Sequence, residues 1–534
     1  MHYNLIDEPW LDAIYLTGAR CGLGLAQILT QAHLIYDLDG LTRQERAAII
    51  RALIPMVGRA LETHGGLTES TWVETFNQGH FDAAAITAYL EDHRSRFDLF
   101  GETPFYQTPG LQLANGQMAI HEATIGKLQN AQRAYADLAP GQTLSLAEGA
   151  RLLIYTQSYD LGGKHPLTVE AEAISAATAT RGADGKMSRA RGVAGARTHL
   201  GQSWSGFIQI VLARGVSLFH TLMLNLVADM PNGHNGVPAW ERPVTTWEPV
   251  VRQPREQFDL LTWQTRRLLL VTEDDQVVGM HLAAGDDSLP QGQGLHKNYF
   301  NAEPHCHWVL DIKGKPKNPP VYRKGAPIKA VSVHQEFGPL WQGLTPFTRD
   351  FEDDLRAHVV RFVQNMIDKG VVTGQFRGWA TSGFLFDQGT ATKIVGSFAD
   401  DLDVALDSVR NEAVLTEASK GAVDGLKALQ AAERVLETLG APWLADSLYR
   451  DLERDVRALV AQPDLSDPAA AADRMLANLH HSIQTAIDLA THGASAAQWD
   501  KFWRPGDTSK DQVHFWAELK KINQHTRQPE KEPK

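Results

Sequence analysis

The chain has 534 residues, too many for one ordinary domain and enough to bury a large core. Its formal charge of −12 excludes a protein that grips nucleic acid unaided through a broadly basic surface, so contact with DNA or RNA needs local basic loops or a partner that supplies the field. Two cysteines, Cys21 and Cys306, exclude a disulfide framework and a cysteine-rich zinc module.

The first apolar stretch carries Asp7, Glu8 and Pro9, unlike a secretory signal. It reads as a short strand anchored by Trp10. A strand at Ile14–Leu16 and a short helix over Leu23–Leu29 follow. Thr42 and Glu45 make a capping box for a helix through Ala47, Ile50, Leu53, Ile54 and Val57, kinked near Pro55. Trp72–Leu90 adds helical material, and an aromatic turn surrounds Pro104. Tyr135–Gln142 is a loop.

Leu146–Tyr155 reads as a helix. It runs into Gln157-Ser158-Tyr159-Asp160-Leu161-Gly162-Gly163-Lys164, a flexible glycine turn followed by a cation. From Arg181 to Arg197, five cations stand against Asp184 alone, which reads as a mobile basic loop or as a solvated loop without function. The most apolar long window, residues 207–227, is interrupted by Gln209, Arg214 and His220, so it is a buried helix over Phe207–Leu226 and not a membrane span. A soluble, cytoplasmic chain without membrane contact is expected.

Leu260–Gln264 and Arg267–Thr272 read as adjacent strands. A second basic run carries Lys313, Lys315, Lys317, Arg323, Lys324 and Lys329 among prolines at 316, 319, 320 and 327. The prolines hold its cations along a line, which suits regularly spaced phosphates and equally suits an edge hairpin guarded by lysines.

Gly383-Phe384-Leu385-Phe386-Asp387-Gln388-Gly389-Thr390 is an aromatic ramp between two glycines. It delivers Asp387 and Gln388 to a tip, and Gly389 allows a sharp reversal there. The Gln388 amide both donates and accepts hydrogen bonds, so it can meet a base edge or fill a gap between strands. The plainer alternative is a hairpin corner with Phe384 and Phe386 in the core.

Beyond about residue 391, segments near 397–416, 418–440, 444–462 and 469–492 carry apolar residues at helical spacing. Their breaks are expected at Lys420-Gly421, Gly440-Ala441-Pro442 and residues 463–468. The expected fold is therefore α+β. A large mixed N-terminal domain of short sheets and helices spans 1–390. An all-α four-helix bundle spans 391–534, with Trp499 and Trp503 packing a terminal helix before a charged tail.

Familiar catalytic motifs are missing: the sequence has no Walker loop, no dinucleotide fingerprint, no nucleophile elbow and no His-Glu-x-x-His. His305-Cys306-His307 comes nearest to a metal cluster. On a strand the two histidines would share one face, but two ligands do not complete a zinc site. No enzymatic activity, cofactor or metal is expected.

Taken together, these pieces resemble the CasA family, the large subunits of the type I-E CRISPR surveillance complex called Cascade. The matching motifs are Asn4-Leu5-Ile6-Asp7 with Trp10, Thr103-Pro104-Phe105-Tyr106-Gln107-Thr108, and Ala213-Arg214-Gly215 leading into Leu222-Met223-Leu224-Asn225. Pro238-Ala239-Trp240, Thr262-Trp263-Gln264 and Gly383 to Gly389 continue the series. The resemblance implies a subunit without bond chemistry. Such a subunit checks duplex DNA for a short protospacer-adjacent motif, largely from the minor groove, and helps open the first base pairs of an R-loop. It later docks a helicase–nuclease, while guide RNA carries the sequence.

It implies a wedge at Gln388, beside Asp387 and Gly389, with Asp387 standing where the family can have an amide. It implies a groove-facing glycine loop at Gly162 and Gly163, followed by Lys164. The family's lysine finger maps near Trp308, where this chain offers His307 or Lys313, with Arg323 and Lys324 further along the basic loop. A loop at Tyr135-Ala136-Asp137 corresponds to one that plugs the subunit into the complex. The implied partners are target duplex DNA, guide RNA, the other Cascade subunits and the recruited helicase–nuclease. The competing readings are a structural scaffold of a ribonucleoprotein and a metal-dependent nuclease using His305 and His307.

Overall fold

The computed structural model describes residues 2–62, 67–120, 141–160, 164–177, 180–181, 187–188, 193–194, 210–231, 235–250, 252, 254, 256–286, 302–310, 328–330, 339–351, 356–386, 394–495 and 510–527. The chain divides into two compact units. The first comprises Met1–Glu336, Asp354–Phe376 and Ala380–Asp400, and the second Phe337–Asp353, Arg377–Trp379 and Asp401–Lys534.

The first unit mixes short sheets with helices. Strands β1 (Leu11–Tyr15), β2 (Arg20–Leu23) and β3 (Ile35–Asp39) form an antiparallel sheet in the order β2-β1-β3, with helix α1 (Leu25–Thr30) between the last two in sequence. Helix α2 (Arg43–Glu62) starts at the expected box, where Glu45 N–H donates to Thr42 Oγ1 and Thr42 N–H donates to Glu45 Oε2. Most of α2 is buried, and it carries Pro55 inside and continues to Glu62. At Gly58 an added Cβ would lie 2.1 Å from the Phe258 ring, so glycine lets that ring lie directly on the helix.

Helices α3 (Glu69–Gln78) and α4 (Ala83–Asp92) follow, and the Trp72 indole N–H donates to Met223 O in the core. Next come β4 (Met118–Ala119), β5 (Leu144–Ser145), α5 (Leu146–Tyr159), β6 (Lys164–His165) and α6 (Val169–Ala177). The basic stretch after them is partly paired backbone and not simply a loop. β7 (Thr180–Arg181) pairs with β8 (Met187–Ser188), while β9 (Val193–Ala194) pairs with β6.

Two expectations fail between residues 207 and 264. The described part of the expected 207–226 helix is strand β10 (Ile210–Gly215) followed by helix α7 (Leu218–Asn225). Ser217 caps the helix through His220 N–H, and Gly215 sits where a Cβ would crowd Thr221 N at 2.5 Å, so the chain can turn abruptly from strand to helix. Apolarity could not distinguish the two elements, because both are buried on every side.

The expected strand at 260–264 is the end of a short helix α8 (Gln257–Leu261) and a turn. The buried Gln257 amide holds α8 in place by donating to Val227 O and Asn235 Oδ1. Strand β11 (Arg266–Glu273) then pairs with β12 (Gln276–Ala284) across Asp274 and Asp275, whose φ angles of 47° and 58° suit a tight hairpin turn. β4 and β5 both add to β12.

Strand β13 (Trp308–Leu310) pairs with β14 (Ile328–Ala330), and helix α9 (His358–Asp368) follows. Strand β15 (Phe376–Phe386) neighbours both β10 and β16 (Ile394–Asp403), giving the order β10-β15-β16. The expected helix near 397–416 is thus strand over its first part, then the short helix α10 (Leu406–Arg410).

The second unit is dominated by helices α11 (Glu412–Thr438), α12 (Ala445–Ala461), α13 (Pro468–Gly493) and α14 (Lys510–His525), with α11 packed against the other three. Lys420-Gly421 does not break α11. An added Cβ at Gly421 would meet Met475 Cε at 2.8 Å, and one at Gly425 would meet Leu452 Cδ1 at 2.7 Å. These glycines let neighbouring helices pack closely on α11. Among the described residues no helix is long and apolar enough to cross a membrane.

Candidate nucleic-acid interface

Asp387, Gln388 and Gly389 lie outside the described residues, but the strands on either side are described. β15 and β16 are hydrogen-bonded neighbours joined by residues 387–393. So short a connection cannot make a parallel crossover, so the two strands form a hairpin. Thr381 and Ser382 are buried on the strand that leads to the tip, and Gly383 O accepts the Gln44 amide of α2 at 3.1 Å.

Lys313, Arg323 and Lys324 also lie outside the described residues, within 311–327, which the β13–β14 ladder brackets. In that ladder Trp308 faces Ala330 and Leu310 faces Ile328. The segment leading into β13 is locked inside the first unit. Glu303 accepts both arms of the Arg51 guanidinium at 2.8 Å, and Arg51 Nη1 donates to His305 Nδ1 at 3.0 Å. His305 Nε2 in turn donates to Asn225 O at 3.1 Å, which assigns the neutral ring's proton to Nε2.

Burial would raise the Glu303 carboxyl, but the Arg51 charge and hydrogen bonds outweigh it and hold that carboxyl below its ordinary value. Burial, followed by the Arg51 charge, pushes His305 down to about 3.

His307 is the one proposed DNA contact whose side chain is described, and it is 1% exposed. Its Nδ1 accepts Ala357 N–H at 3.1 Å, and burial with the nearby Arg356 charge pushes it down to about 3. In this conformation the ring is neutral and enclosed, so it gives a phosphate backbone neither charge nor surface.

A metal reading fares poorly on the same geometry. Both His305 nitrogens are engaged, one of them facing a guanidinium. Among the described residues no group of three or more His, Cys, Asp or Glu side chains could hold a metal.

The turn at Gly162-Gly163 lies outside the described residues, and its two roots are firm. Helix α5 extends to Tyr159, four residues beyond the expected end, so Gln157 belongs to its last turn and not to a flexible loop. Gln157 is 2% exposed; its Nε2 donates to Arg266 O at 3.0 Å and its Oε1 accepts Arg266 N–H at 2.9 Å. Asp160 Oδ2 accepts Arg266 Nε at 2.5 Å. On the far side Lys164 pairs with Ala194 and His165 with Val193, which ties this turn to the arginine-rich stretch. Tyr135, Ala136 and Asp137 lie outside the described residues.

β10 relates the first two loops. Ile210 bridges Cys306 in antiparallel fashion, and Val211 N–H donates to His305 O at 2.8 Å. On the other side β10 neighbours β15, with Val216 N–H donating to Gln375 O just before β15 begins. The end of β10 thus meets the start of β15, so the Ile210 end lies beside the part of β15 that leads to Phe386. Past Cys306 and past Gly383 the two chains continue beyond the same end of β10. The amide hairpin and the basic hairpin therefore leave one end of one sheet.

Sequence reading missed Gln44, Arg51, Glu303 and Arg266. A legible signal existed for Arg51, the only charge in the run Ala47–Met56.

Residues 4–505 match the family described as CRISPR-associated protein Cse1. The fold is similar to Cse1 of Thermobifida fusca, with 23% identity, 98% of each chain covered and a TM-score of 0.73. It is similar to Cse1 of Acidimicrobium ferrooxidans, with 22% identity, 99% of each chain covered and a TM-score of 0.73. CasA (Cse1) of Thermus thermophilus shares 18% identity over 98% of this chain and 99% of its own, with a TM-score of 0.66. No curated protein sequence matches. With nearly its whole length matched, the chain belongs to the CRISPR-associated Cse1 family.

Proposed function

We propose that this chain is the large subunit of a type I-E RNA-guided surveillance complex. In that role it checks duplex DNA for a short motif flanking the target, helps part the first base pairs, and then docks the helicase–nuclease. Family membership over residues 4–505 supports the subunit role. So does likeness in fold to a chain of a structure titled CRISPR RNA-guided surveillance complex, covering 92% of this chain at a TM-score of 0.62.

The observation that carries the DNA reading is the exit of two hairpins from one sheet end, one bracketing Gln388 and the other bracketing Lys313, Arg323 and Lys324. An amide tip can compete for a base edge while neighbouring cations hold phosphates. Gly162, Gly163 and Lys164 would add a groove contact with bare backbone. Tyr135, Ala136 and Asp137 would seat the subunit in the complex.

A net charge of −12 argues that the isolated chain binds DNA weakly and needs the guide RNA assembly. The test is Gln388→Ala in the assembled complex, read by fluorescence of a base analogue beside the flanking motif. Opening should fall at least tenfold while guide RNA loading stays native. Unchanged opening would remove the wedge, and indifference of the native complex to the flanking motif would leave only a scaffold.

A further inference from the structure

Gln44 and Arg51 stand seven residues apart on α2, so they lie on one face about 10 Å apart along the axis. Each reaches the root of a different hairpin. Gln44 Nε2 donates to Gly383 O, on the strand that leads to the amide tip. Arg51 holds Glu303 with both arms and His305 with one, just before the strand that leads to the basic loop. All five residues belong to the first unit.

We infer that α2 is the gauge that sets the spacing between the two hairpins, with Gln44 and Arg51 as positioning residues for duplex opening. This rests on the DNA-facing reading of those hairpins. Well-packed apolar residues could hold these strands at less desolvation cost than a buried guanidinium, carboxylate and imidazole. The polar groups supply direction: a bidentate fork and a single amide each admit a narrow range of positions for their partner. Two tips that must engage one duplex together lose effect when their separation drifts by about 1 Å, so rigid roots matter more here than net stability.

The test uses the complex assembled with guide RNA, carrying Gln44→Leu or Arg51→Lys. Leucine keeps the bulk and removes the donor, while lysine keeps the charge and removes the fork. Each complex is offered an intact target duplex and the same target with a mismatched bubble beside the flanking motif. The bubble bypasses opening.

Both variants should load guide RNA normally and bind the bubbled target as the native complex does. The intact duplex should bind about tenfold more weakly with Gln44→Leu and severalfold more weakly with Arg51→Lys. Equal weakening on both targets, or failure of both variants to assemble, would assign the residues to folding alone and overturn the inference. Native binding to both targets would overturn it too. A native complex that ignores the flanking motif would remove the DNA reading itself, and the inference with it.

Discussion

Arg51 in the first unit and Arg454 in the second each meet a carboxylate at 2.8 Å, yet their side chains are 5% and 67% exposed. Around Arg51 the partners Glu303 and His305 are buried as well, and they root a hairpin. Around Arg454 the partners Asp451 and Asp455 sit on the same solvated helix, α12. Among its described residues the helical unit buries one charged side chain, Glu518, and builds its interior from residues such as Leu452, Val456 and Leu479. The mixed unit spends buried charge on holding backbone segments in place. Similar ion-pair geometry therefore serves solubility in one region and position in the other.

The largest effect that sharpens this contrast is Arg51→Met. It strands the Glu303 carboxylate and His305 without their cation, and breaking a buried pair from one side costs about 3–5 kcal/mol. Urea unfolding should show the loss, and Glu303→Gln added to it should recover part. If the double variant is no more stable than the single one, the cost lies in packing and not in charge.

Legibility from sequence followed the same division. Helices α12 and α13 were readable within a few residues because one face is apolar and the other polar, a pattern that periodicity detects. Where that asymmetry is missing, reading failed: β10 and α7 lie in one mostly apolar window in which Arg214 and His220 mark no polar face, and Gly421 looked like a break because sequence does not show Leu452 and Met475 pressing on α11. The candidate segments, which lie outside the described residues, were legible only as runs of glycine, proline and cations. Their roots were not. Gln157 read as part of a flexible turn, whereas long-range bonds to Arg266 and Thr265 fix it in a helix. A residue whose role depends on a partner about a hundred positions away leaves no local pattern.

A middling effect comes from pH. Burial holds His305 and His307 down to about 3, helped by Arg51 and Arg356 respectively. The unfolded chain protonates its imidazoles near 6.5, so between those values it binds protons that the folded state refuses. Stability of the first unit should therefore fall as pH drops through 6.5 toward 3. Each of the two histidines should cost about 2 kcal/mol between pH 7 and 5, since each fully displaced proton costs roughly 1.4 kcal/mol per pH unit below 6.5. Glu303, held below its ordinary value by Arg51, adds to the loss only below about 4.5. Amide hydrogen exchange reads each unit separately, and α2 should lose protection on acidification sooner than α11. Equal losses would mean that the buried histidines are not what separates the units.

The smallest effect is expected at Arg454→Ala. Its guanidinium bonds to Asp451 and Asp455 at 2.8 and 2.9 Å, and on a drawing this looks as strong as the Arg51 pair. Water competes for both ends, however, and ordering a long side chain costs entropy, so exposed pairs contribute about 0–1 kcal/mol and lose most of that in salt. The change should shift unfolding of the helical unit by less than about 0.5 kcal/mol, and the shift should shrink between 0.05 and 0.5 M salt. Arg51→Met should keep its cost over the same range, because salt does not enter the site where Glu303 lies. A large, salt-resistant loss at Arg454 would erase the distinction between the two arginines and with it the claim that burial gives such a pair its positional role.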